Sequence, residues 1–88
     1  MTTMSEASSH LRQVMGFFWP GDEGAHTPGG FIEALIRAVC KADDGNKDRL
    51  YAAFPAVVWG VKTCQELPKD VARGLILAEI DGEEKGPL

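Results

Sequence analysis

Proline decides most of what this chain can become. Four of its five prolines, Pro20, Pro28, Pro55 and Pro68, stand at the edges of segments whose apolar residues recur at helical spacing. Proline supplies no amide proton and disfavours helical backbone at the residue before it, so a helix can begin at a proline but is broken or kinked by one inside it. Leu75 to Ile80 could be drawn as a strand. No other segment alternates with period two, however, and a lone strand would leave its edge unpaired. The expected fold is an all-α, single-domain bundle of four or five short helices.

The first helix is expected from about Ser5 to Phe18, where Leu11, Val14, Met15 and Phe18 follow the i, i+3, i+4, i+7 pattern. Ser5, Ser8 and Ser9 are alternative N-caps, and Pro20-Gly21 end the helix. Residues 19–30, WPGDEGAHTPGG, are expected to be a loop, either a binding loop or a flexible linker. Thr27 as N-cap and Pro28 at the first helical position predict the start of the second helix. On it Phe31, Ile32, Leu35, Ile36, Val39 and Cys40 share a face, and Glu33 and Arg37 form an i, i+4 pair on the other side. Asp43, Asp44, Gly45 and Asn46 read as a turn that ends it at about Ala42.

Leu50, Tyr51, Phe54, Val57, Val58 and Val61 carry one apolar stripe across Pro55. This predicts a helix from Lys47 to about Phe54, a kink or tight turn, and another helix from Pro55 to about Glu66. Pro68, Lys69 and Asp70 open a last helix that Gly74 weakens by about 1 kcal/mol relative to alanine. Residues 81–88 are expected to form a frayed, flexible tail. The expected centre of the core is Leu35, Ile36, Val39, Leu50, Phe54, Val58 and Val61.

Composition bears on function mainly by exclusion. The chain has 88 residues, 44% of them hydrophobic, with 9 basic and 13 acidic side chains and a net charge of −4. Its basic residues are scattered singly among acids, which disfavours nucleic acid as a partner. The longest uncharged apolar stretch, Ala52 to Val61, is about half the roughly 20 residues that span a bilayer and contains Pro55, so no membrane partner is expected. Met1 to Ser9 lack the basic and apolar regions of a secretory signal, and the expected location is the cytoplasm. There Cys40 and Cys64 would be two unpaired thiols packed in the core.

No catalytic constellation is legible, and the chain is expected not to be an enzyme. Cys40 with His26 could be drawn as thiol and base, but a cysteine at the edge of an amphipathic helix is usually protonated and inert. Neither cysteine nor His10 nor His26 stands at a metal-ligand spacing, and the pairs Asp22-Glu23 and Asp43-Asp44 lie in no calcium-loop frame, so no metal or cofactor is expected. Gly29-Gly30 is not followed by the lysine of a phosphate loop.

The aromatic residues say more. Trp19 borders the loop, and Trp59 lies off the main stripe of its helix, beside Lys62 and Glu66. Tryptophan is enriched where proteins grip partners, so Trp19, Asp22, Glu23, His26 and Trp59 are the candidate partner-binding residues; the alternative is that both tryptophans close over a thin core.

Pro28-Gly29-Gly30-Phe31, Ala34-Leu35-Ile36, Ala42-Asp43, Asn46, Arg49-Leu50, Phe54-Pro55 and Val58 give residues 28–61 a pattern that resembles short uncharacterised proteins encoded by bacteriophages of actinobacteria. The resemblance implies a phage or prophage origin and a place in the host cytoplasm, and it carries over no catalytic residue. The expected role is a non-catalytic phage protein that binds and modulates a host or phage protein. The alternative is a structural homo-oligomer that uses apolar surface near Trp19 and Trp59.

Overall fold

The computed structural model describes residues 5–85 and sets a helix boundary within two residues of each of the four internal prolines. Five helices follow one another: α1 (Glu6–Phe18), α2 (Gly30–Lys41), α3 (Asp44–Ala53), α4 (Pro55–Glu66) and α5 (Lys69–Lys85). No strand occurs among the described residues, and Leu75 to Ile80 lie inside α5, so the fold is all-α. Ser5 caps α1 by accepting a hydrogen bond from the Ser8 amide at 3.0 Å. Pro55 opens α4 at a position where its missing donor costs nothing.

Two apolar clusters hold the helices together. In the first, Val14 of α1 meets Ile32, Leu35, Ile36 and Val39 of α2 and Val57, Val58 and Val61 of α4. In the second, Leu11 and Met15 of α1 meet Ile76 and Ile80 of α5. Burying a side chain of this size contributes about 1.5–3 kcal/mol. Helix α4 crosses α1 where the clusters join: a Cβ on Gly60 would stand 3.2 Å from the Leu11 side chain and 3.3 Å from that of Val14.

Several boundaries differ from expectation, each for a tertiary reason. Helix α2 starts at Gly30 with Gly29 as an N-cap that lends no side chain, instead of at Thr27-Pro28. The chain just before it is held to α1, since the His26 amide donates to the Arg12 carbonyl at 3.0 Å and the Gly29 amide to Gln13 Oε1 at 3.0 Å. It can turn into helix only after those bonds are made. Asp43, expected in a turn, caps α3 by accepting from the Asn46 amide at 2.8 Å, so α3 begins three residues before Lys47. Residues 81–85, expected as frayed tail, continue α5; the rest of that tail, 86–88, lies outside the described residues.

The core is also distributed differently. Leu50 and Phe54 are only partly buried at the edge of the first cluster. Phe31 is 66% exposed, its ring 5.7 Å from that of Phe54. It sits about 100° around the helix from Ile32, which points into the core. On α5, Ala72, Ile76 and Ile80 face inward while Val71 and Leu75 face solvent.

The loop between α1 and α2 is a strap rather than a linker. It turns at Gly24, whose φ of +87° favours glycine, and then crosses α1 so closely that a Cβ on Gly16 would lie 1.8 Å from the His26 carbonyl oxygen. Gly74, by contrast, has no neighbour within 4 Å of where its Cβ would stand. Replacing each by alanine should therefore have opposite effects in urea denaturation. Gly74→Ala raises stability by about 0.5–1 kcal/mol through helix propensity, whereas Gly16→Ala lowers it by about 1–3 kcal/mol because the strap must move.

Candidate functional site

The strap places the loop candidates very differently. Asp22 is turned inward, its side chain 11% exposed, and accepts from Arg73 Nε at 2.9 and 3.1 Å; Lys69 Nζ is 3.8 Å away. Arg73 also donates to the Glu23 carbonyl at 3.3 Å. Asp22 thus ties the loop to the first turns of α5, and its charge is met within the chain. Trp19 is half-buried against the Leu11–Met15–Ile76–Ile80 cluster, with Lys69 Nζ 5.8 Å above its ring. Glu23 and His26 are exposed. His26 lines an open groove of about 590 Å³ with Phe17, Pro28 and Arg37.

Trp59 is half-buried against the same cluster from the α4 side, and it divides two further grooves. One, of about 300 Å³, has Leu11 at its base, Tyr51, Pro55 and Trp59 along its apolar side, and Glu79 and Glu83 of α5 as its other wall. Its neighbour, of about 310 Å³, is lined by Tyr51, Trp59 and Leu67 with Lys47, Lys62 and Glu66. Tyr51 belongs to both and is 52% exposed. The periodicity that sets Trp59 beside Lys62 and Glu66 finds this surface. Tyr51 and the acids of α5 reach it only through tertiary packing.

Behind that acidic wall lies a polar network between α1 and α5. Arg12 donates through Nε and Nη2 to the two carboxylate oxygens of Glu84, both at 3.0 Å, and through Nη1 to the Gly24 carbonyl at 2.7 Å. The fully buried Ser8 donates its hydroxyl to Glu84 at 2.6 Å. Glu84 itself is about one-third exposed. The hydrogen bond from Ser8, then that from Arg12, holds its carboxyl below the ordinary glutamate value, against desolvation and the nearby Asp81.

Both cysteines are unpaired and half-buried against the first cluster. Burial pushes the Cys64 thiol up to about 12, which keeps it protonated and a poor nucleophile. Among the described residues no three histidine, cysteine or carboxylate side chains converge where they could hold a metal ion, and no helix is long and apolar enough to cross a membrane. Comparison with protein-family models, with curated proteins and with solved structures found no match.

The Glu84 network makes stability pH-dependent with a definite sign. Its carboxyl titrates lower in the folded chain than in the unfolded one, so its stabilisation is complete well above the ordinary glutamate pKa of about 4.3 and is lost as pH falls through the lowered value. Glu84→Gln should lower the melting temperature near neutrality and flatten its decline on acidification. An unchanged acid branch would show that Glu84 does not carry it.

Proposed function

We propose that this chain is a non-catalytic, phage- or prophage-encoded domain that works in the host cytoplasm by binding and modulating a host or phage protein. The observation that carries the binding role is that Trp59 and Tyr51 both line two open grooves, where they supply aromatic surface beside charged side chains. A tryptophan anchored in the core by one edge and open on the other presents a large, rigid contact area at low entropic cost. The resemblance of residues 28–61 to actinobacteriophage proteins supports the phage origin, and the protonated Cys64 thiol is consistent with a role that makes no covalent bond. On the loop side, Glu23 and His26 are exposed, with His26 on a groove separate from the two beside Trp59, whereas Asp22 is engaged by Arg73.

A structural homo-oligomer is the second reading. Val71 and Leu75, one turn apart on α5, are 47% and 46% exposed and could meet a copy of themselves. Sedimentation separates the two, since a monomer across micromolar concentrations favours a heterologous partner.

The direct test is to identify the partner by affinity capture and mass spectrometry and then measure its affinity for variants. Trp59→Ala and the fold-sparing Tyr51→Ala should each weaken binding by at least about 2 kcal/mol, roughly thirty-fold. Unchanged affinity in both would sink the Trp59 face as the docking surface.

A further inference from the structure

The groove bounded by Trp59 on one side and Glu79 with Glu83 on the other has a definite chemical preference. Its volume of about 300 Å³ is at the lower limit of ligand pockets, room for one long side chain rather than a small-molecule substrate. Glu79 and Glu83 are one helical turn apart on α5, and neither carboxylate has a hydrogen bond or ion pair to the described residues. Like charges at that spacing destabilise a helix by a few tenths of a kcal/mol, and a cation between them reverses the sign. The opposite wall is aromatic, formed by Trp59 and Tyr51.

We infer that this groove receives the guanidinium group of an arginine on the partner protein. A planar, weakly hydrated cation can stack on the Trp59 ring and present its forked N–H groups to two carboxylates, whereas an ammonium keeps its water and fits an apolar wall less well. The net charge of −4 favours approach of such a basic partner. This assignment rests on the protein-binding reading and gives that partner its recognition chemistry.

The probe is N-acetyl-arginine amide, titrated while the Trp59 and Trp19 indole N–H resonances are followed by NMR, with the neutral isostere N-acetyl-citrulline amide beside it. The arginine compound should move the Trp59 signal saturably and leave that of Trp19 in place. The double variant Glu79→Gln/Glu83→Gln, whose changes are exposed and fold-sparing, should weaken that response at least about ten-fold. An equal response to citrulline, no saturable shift, or full binding by the double variant overturns the assignment. A dimer that forms with rising protein concentration and is lost in the double variant would place a second copy in the groove and overturn it as well. If Tyr51→Ala abolishes partner capture but the probe does not bind, the guanidinium assignment falls while the docking face stands. If the probe binds and capture survives both Tyr51→Ala and Trp59→Ala, the docking face falls instead.

Discussion

One side chain, Arg12, joins three distant parts of the chain. Its guanidinium grips both oxygens of Glu84 at the far end of α5, and its remaining arm holds the Gly24 carbonyl in the loop. With its side chain only 17% exposed, that charge has given up most of its water, and such a charge is tolerable only when its donors are met. The bidentate geometry and the added Ser8 hydroxyl supply what the desolvation requires. Removing either Arg12 or Glu84 would leave a partly buried charge unpaired.

The consequences run outward along α1. On the loop side, the Gly24 contact works with the His26 amide on the Arg12 carbonyl and with the close approach at Gly16, and together they hold the second half of the loop against α1, while Asp22 ties its first half to α5. On the α5 side, Glu84 fixes the helix one residue beyond Glu83, and Ser8 and Arg12 stand one residue beyond Ala7 and Leu11. Those three neighbours, Glu83, Ala7 and Leu11, line the groove beside Trp59. The polar network therefore stands next to the acidic side of the groove and holds α5, with Glu79 and Glu83, against α1. Holding the α5 carboxylates in place before a partner arrives reduces the ordering cost of binding.

What could be read from sequence was local, and what was missed was tertiary. The stripe Val57, Val58, Val61 behind Pro55 specifies α4 in both extent and inward face, because cap chemistry and periodicity agree there. Thr27-Pro28 looks like an equally good start for α2, yet the His26 and Gly29 amides donate to the Arg12 carbonyl and to Gln13 Oε1 and keep that stretch extended until Gly30. Asp43 and Asn46 were ambiguous because the same residue types make turns and helix caps. The end of α5 looked like tail because Glu84 is stabilised by groups more than seventy positions away. Trp59 was visible as an amphipathic oddity on its own helix, while Tyr51, Glu79 and Glu83 carry no local mark of belonging with it.

The central claim is that the Arg12 network couples the loop strap to the end of α5 without being what holds α4 in the core. Amide hydrogen exchange on an Arg12→Met variant tests this most directly, because methionine keeps the apolar length of the side chain and removes its donors. The account predicts that the amides of Ala25 and His26 and those of the last turn of α5 lose protection together, while Val58 and Val61 in α4 keep theirs. Protection lost equally throughout the chain, or at only one of the two coupled ends, would contradict it.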